Sequence, residues 1–214
     1  MIILRDTMPE NVEANPITSW NPQSKHPNIS ETAYIHPQAM VIGAVSIGEK
    51  VMVAPYASVR GDEGLDIRID DHSNVQDAVV LHGRQTIDQN GNPIKENQVE
   101  VDGENYSIYI GKRVSLAHQA QVHGPAVVFD GVFIGMQTFV FKATIGKNSV
   151  LEPKACVIGA NVPENRYVPA GVTITSQEDA DKLPEIYEGY TFKNTNREVV
   201  EVNVELADGY NQRK

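Results

Sequence analysis

Aliphatic residues recur every six positions along most of this chain. Ile35, Val41, Ile47, Val53 and Val59 form one run, and Ile69, Val75 and Leu81 a second. A third contains Ile110, Leu116, Val122, Val128, Ile134 and Val140, and after a five-residue step the pattern resumes at Ile145, Leu151 and Val157. Small residues follow the aliphatic position by one (Gly48, Gly111, Gly135, Gly146) or by four (Ala57, Ala120, Ala126, Ala155). An α-helix requires a period of 3.6 and a half-buried strand a period of two. A period of six is the signature of a parallel β-helix built from hexapeptides. Each hexapeptide is then a short strand and a turn, three complete one triangular coil, and the aliphatic side chain points into the prism. Successive coils stack at roughly 4.8 Å, so the stack as a whole supplies the core.

The same pattern divides the chain. Residues 1–34 are rich in Pro and Asn and read as an extended arm, with Trp20 packing it against the prism. The β-helix spans 35–175, interrupted by a loop at RGDEGLD and by a polar excursion over 83–106. The strings DQNGN and DGEN in that excursion are turn chemistry and predict a hairpin-like loop. Residues 176–214 form a helical segment. In SQEDADKLPE, Ser176 with Asp179 three residues on is a variant capping box. A longer helix is predicted over 196–208, with Val199, Val202 and Leu206 on the face toward the prism and Gly209 as its stop. The fold class is therefore all-β, a parallel β-helix of hexapeptide repeats with a C-terminal α-helix packed along it.

A net charge of -10 and the lack of any Lys/Arg cluster argue against a nucleic-acid partner. No apolar run is long enough to span a membrane. MIILRDTMPE carries no visible export signal, so a cytoplasmic location is expected, and a secreted mature form with its signal removed is also compatible. Cys156 is the only cysteine, which rules out an internal disulfide; its place in the ladder suggests a buried small residue rather than a nucleophile.

Against this frame the histidines acquire directions. Ile69, Val75 and Leu81 occupy successive faces of one coil; with the excursion removed, Ile110, Leu116 and Val122 occupy the same faces of the next. Leu81 and Val122 therefore stack, and His82 and His123, each one residue further on, project outward from one face a coil apart. A separation of roughly 5 Å lets two imidazoles share one ion at bonds of ~2.1 Å. His118 follows Leu116 by two and belongs to the neighbouring face. A prism packed with copies of itself about a three-fold axis brings face three of one subunit to face two of the next, where His118 completes the set. The ladder thus predicts a trimer with a metal site at each interface. His26, His36 and His72 lie in the arm or at turns without such partners.

The strings RGDEG, SNVQDAVVLHG, VSLAHQAQVHGP and FIGMQTFVFKATIG resemble the gamma-class carbonic anhydrases, and the acidic excursion with the terminal EVNVELADGY resembles their archaeal prototype branch. The resemblance covers almost the whole chain. It implies a left-handed β-helix, a homotrimer, and reversible hydration of CO2 to bicarbonate and a proton by a metal-bound hydroxide. It places the metal on His82 and His123 of one subunit and His118 of the next, with zinc as the ion and iron or cobalt also supporting activity, one ion per interface. Gln76 and Asn74 are implied to orient water and substrate, Asn203 to lie near the CO2 pocket, and Glu63 to exchange protons with the bound water. Arg60, Asp62 and Asp77 are implied to form an intersubunit ion-pair network, and Arg60 also to help hold bicarbonate.

One position departs from the family. Three residues after the first histidine ligand the prototype has a glutamate that passes protons to buffer; here stands Gln85, and an amide exchanges no proton near neutral pH. Proton export is expected to slow, or to run through Glu63, Asp88 or small buffers. Two other functions fit the ladder: a non-catalytic scaffold or bicarbonate-binding member of the same family, and a hexapeptide acyltransferase using a lone histidine as base. Metal content separates them from the anhydrase.

Overall fold

The computed structural model describes residues 11–213, and the export-signal expectation for the first ten residues lies outside them. The hexapeptide period becomes three columns of parallel strands. The first face runs through Asn28–Ile29, Val45–Ile47, Ile67–Ile69 and Ile108–Ile110. It continues into the far half of Gln121–Val128 and of Phe139–Ile145, and ends at Asn161–Val162. The second face stacks Tyr34–Ile35, Met52–Val53, Asn74–Val75, Ser115–Leu116, Phe133–Ile134, Val150–Leu151 and Tyr167–Val168. The third begins at Val12–Glu13 and passes through Met40–Gly43, Ser58–Gly61 and Val80–His82. It then takes in the near halves of the two long strands before Cys156–Ile158 and Thr173–Ile174.

Each ladder residue points into the prism. On the third face Val41, Val59, Leu81, Val122, Val140 and Val157 form one inward column, all 0–1% exposed. Burying a side chain of this size contributes about 1.5–3 kcal/mol, so the column is a main source of stability. From the second coil on, the corners before and after the second face each use a left-handed residue. Lys50, His72, Arg113, Gly131, Asn148 and Asn165 form one such row, and Tyr56, Ala78, Gln119, Gln137, Lys154 and Gly171 the other. A non-glycine residue in this region costs about 1–2 kcal/mol. Bonds from the corner N–H groups to the coil beneath offset it, as in Gln119 N to the Asp77 carbonyl (2.9 Å) and Gln137 N to the His118 carbonyl (3.0 Å).

The five-residue step has a local cause. Phe139–Ile145 turns its corner as one strand with Lys142 alone between Phe141 and Ala143, where the strand beneath has Gly124 and Pro125 between His123 and Ala126. The segment before Ile35 carries two strands, pairing with Val41–Ile42 and Ser46–Ile47, and Trp20 is half-buried. The excursion contains a one-turn 3-10 helix, Lys95–Asn97, and an antiparallel hairpin, Val99–Val101 with Glu104–Tyr106.

Helix α1 (Gln177–Asp181) is capped as its sequence predicts, with the Ser176 hydroxyl accepting from Asp179 N at 3.1 Å. Helix α2 (Thr195–Asn211) lies over the second face and corrects two expectations. It runs through Gly209 instead of stopping there. Its inward line is Val200 and Ala207, both fully buried, while Val202 and Leu206 are 56% and 43% exposed. Two separate apolar patches lie beneath α2, and the helix meets both: Val199, the one residue of the predicted stripe that packs inward, meets Phe133 and Tyr190, and Ala207 meets Tyr34 and Met52. Cys156 also differs from expectation. Ala155 fills the corner and Cys156 is half-buried on the strand, its thiol pushed up by burial.

Candidate metal centre

The parallel register sets Leu81 beside Val122 and His82 beside His123. Side chains of opposed residues in parallel strands leave the sheet on one side, so both imidazoles stand outward, with ring centroids 5.5 Å apart and planes at 90°. Arg60 precedes them in the same outward column and Phe141 follows, its ring 5.3 Å from that of His123.

Each of the two histidines is followed by a glycine, and the chain's return from the excursion explains why. A Cβ on Gly83 would lie 1.8 Å from Ser107 Oγ, and one on Gly124 would lie 2.6 Å from the Ser107 carbonyl. Ser107 therefore passes directly against both positions, which only glycine permits. Its own Oγ is buried without a hydrogen-bond partner.

The free nitrogens are defined by what the others bond. His123 Nδ1 donates to the Gly124 carbonyl at 3.0 Å, leaving Nε2 as the lone-pair nitrogen of the neutral ring. His118 Nδ1 donates to Asp77 Oδ2 at 3.0 Å, with the same consequence. His82 Nε2 is buried with no hydrogen-bond partner, although Glu63 Oε1 stands 3.3 Å away and Asp62 Oδ1 3.7 Å. Burial lowers the His82 pKa; Arg60 and His123 act in the same sense, and Glu63 and Asp62 oppose. With the ring proton on Nδ1, the Nε2 lone pair would face these two carboxylate oxygens, an arrangement that a cation satisfies. These three nitrogens suit zinc, which binds neutral imidazole in catalytic sites.

One chain does not complete the set. Among its described residues no three His, Cys, Asp or Glu side chains converge on a metal position. His118 sits at the corner after the second face, stacked on Asp77 of the preceding coil. It lines a cavity of about 500 Å³ with Gln76, Asp77 and Asn203, whose outer edge is the exposed pair Val202 and Leu206. Asn74 and Gln76 are buried on this side: Gln76 Nε2 donates to Asn74 Oδ1 at 3.0 Å, and Asn74 Nδ2 to Ser115 Oγ at 2.9 Å. Asn203 donates to the Val199 carbonyl one turn back at 2.9 Å.

Arg60 grips Asp62 Oδ2 through Nε (3.1 Å) and Nη2 (2.9 Å) within the chain, while Asp77 is engaged with His118 on the neighbouring face. Glu63 is held by the base of the excursion: Thr86 N donates to its carbonyl at 3.1 Å, and Leu65 N to Thr86 Oγ1 at 2.9 Å. Gly64 makes that clamp possible, with φ at +121° and its Cβ position 2.1 Å from Thr86 Oγ1. Gln85 Nε2 donates to the Ile87 carbonyl at 2.6 Å, so the amide braces the excursion's own backbone. The orienting role of Asp77 toward His118 was within reach of the sequence, since Asp77 follows Val75 by two as His118 follows Leu116 by two.

No protein-family model matches the chain. A carbonic anhydrase of Methanosarcina thermophila is 57% identical over 202 residues, 94% of this chain and 82% of that protein. A carboxysome assembly protein, CcmM of Nostoc sp., is 36% identical over 197 residues, which are 92% of this chain and 34% of that protein. A solved hexapeptide transferase family protein from Anaplasma phagocytophilum superposes with a TM-score of 0.65 at 21% identity, covering 87% of this chain and 93% of that one. The last likeness concerns the winding of the chain alone.

Proposed function

This chain belongs to the gamma-class carbonic anhydrases, and from that premise we propose that it hydrates CO2 reversibly to bicarbonate and a proton as a homotrimer. His82 and His123 of one subunit and His118 of the next would hold one zinc ion at each interface. The orphaned, buried Nε2 of His82 beside an in-register His123 carries this reading. Val202 and Leu206, apolar and open to solvent beside His118, are surfaces that a neighbouring subunit would cover.

When bound, zinc brings the pKa of a water from its bulk value to about 7, so hydroxide is available at neutral pH. The chain's residues supply the rest. Asp77 and the Gly124 carbonyl fix the ring orientation and tautomer of His118 and His123, the usual office of partners behind a metal ligand. The Ser115–Asn74–Gln76 relay holds the Gln76 amide still in the His118 cavity, where it orients water and CO2. Asn203 borders the CO2 position from α2. Glu63, clamped by Thr86 beside His82, accepts the proton, and Arg60, held by Asp62, is placed to hold bicarbonate and to join Asp77 of the neighbouring subunit.

Complementation between chains tests the shared site. His82→Ala alone and His118→Ala alone each lose zinc and CO2 hydration. Mixed trimers of the two regain both, because a subunit with intact His82 and His123 meets one with intact His118. Mixtures that stay inactive, or His118→Ala retaining full zinc and activity, would refute the intersubunit site. A wild-type protein that binds no metal and hydrates no CO2 would favour a scaffold instead.

A further inference from the structure

Each bicarbonate formed from CO2 and water releases one proton, which must reach bulk buffer before the next turnover. The cavity outside His82 and His123, about 480 Å³, is the space through which it would leave. Neither Gln85 nor Asp88, the first carboxylate along the excursion, serves. Gln85 has no exchangeable proton near neutral pH and is turned to the Ile87 carbonyl. Asp88 is absorbed by its own turn: its carboxylate accepts from Asn90 N and Asn92 N at 2.8 Å and from Asn92 Nδ2 at 3.1 Å, and these bonds hold its pKa below the usual carboxylate range.

Resting on the CO2-hydration reading, we propose that Glu96 is the group that carries the proton from this cavity to solvent. Glu96 lies on the 3-10 turn Lys95–Asn97, exposed, and lines two spaces at once. The inner one it shares with Glu63, His82 and His123; the outer, about 200 Å³, it shares with Pro125 and Lys142. The adjacent Asn97 is only 5% exposed and also lines the inner cavity, yet its Oδ1 has no hydrogen-bond partner. Its Nδ2 is committed to the Gln85 carbonyl at 2.7 Å, which fixes the orphaned oxygen in place. A buried acceptor of this kind is satisfied by water, and at ~30 Å³ per molecule the cavity has room for a chain of waters. The charged groups facing Glu96 are Glu63, His82, Arg84 and His123 from inside, Lys142 from outside and Lys95 on its own turn.

Water and CO2 give bicarbonate and a proton; the proton passes through cavity water to the Glu96 carboxylate, and the resulting carboxylic acid gives it to a buffer base, restoring the carboxylate.

Stopped-flow hydration with Glu96→Gln and Glu96→Asp, combined with a zinc titration followed by carboxylate 13C NMR, tests the assignment. Expected in Glu96→Gln are an unchanged kcat/KM for CO2 and a kcat roughly tenfold lower at low buffer. Imidazole at high concentration restores kcat, and Glu96→Asp keeps most of it. In the 13C-glutamate-labelled wild type, the resonance that Glu96→Gln removes shifts on adding zinc. Unaltered kcat at low buffer in an active enzyme, or a resonance blind to bound zinc, overturns the role of Glu96 alone. A wild type without zinc or hydration overturns the function reading, and this role with it.

Discussion

The third face and the excursion that leaves it at Gly83 both border the cavity around His82, and they are held by different physics. The face is repetitive: Leu81 is clasped between Val59 and Val122, and His82 stands where the pleat directs it. The excursion has almost no apolar core of its own, and its shape comes from individual hydrogen bonds and close approaches at Gly64, Thr86, Ser107 and Asn97. The repeat brings two histidines to one spot. The departures from it supply the carboxylates, the polar cavity and the route to solvent. Chemistry gathers where the ladder is interrupted, because a residue committed to the interior column cannot also face a substrate.

Breaking the regular side should cost most. Leu81→Ala removes a fully buried side chain and should destabilise the fold by about 2–5 kcal/mol, read as a lower urea midpoint, with zinc occupancy falling as His82 loses its bed. An unchanged midpoint would mean that the column contributes little at this coil.

The junction between the two regions should come next. Gly83→Ala sets a Cβ against Ser107 Oγ and should cost about 1–3 kcal/mol. Pairing it with Ser107→Ala should recover part of that loss, since the hydroxyl is the atom in the way. A double-mutant cycle on thermal unfolding measures the coupling, and strict additivity would contradict the contact.

The excursion's chemistry should respond least in the wild-type background. Gln85→Glu should change kcat at low buffer by no more than about twofold when Glu96 is present, but should restore several-fold activity to Glu96→Gln. A large gain from Gln85→Glu by itself would show that the wild-type proton exit is poor, and would sharpen the contrast in the opposite sense.

The regular side was the legible one. A six-residue period states which side chains point inward, and from it follow the stacking of Leu81 on Val122 and of His82 on His123. The cap at Ser176 was equally local. Legibility fell where a contact depends on a partner outside the repeat. Of the stripe Val199, Val202 and Leu206 that hydrophobicity predicts, only Val199 packs inward, against the Phe133 patch; α2 answers to the Tyr34 and Phe133 patches beneath it and buries Val200 and Ala207, leaving Val202 and Leu206 exposed. Gly209 looks like a stop in isolation, yet Asn211 is bound to the Thr32 carbonyl at 3.1 Å, which extends the helix past it. Glu96 carries no sequence signal, being one acidic residue among several on a polar loop.

The chain's own spacing settled the winding of the coils, the direction of each ladder side chain and the meeting of two imidazoles, because strand pleat and coil length convert position into direction without reference to anything distant. Only the tertiary structure decided the rotation of α2, the passage of Ser107 beneath the two His–Gly pairs, and the place of Glu96 and Asn97 over the histidine cavity. Those arrangements rest on single contacts between segments far apart in the chain, whose geometry no local period encodes.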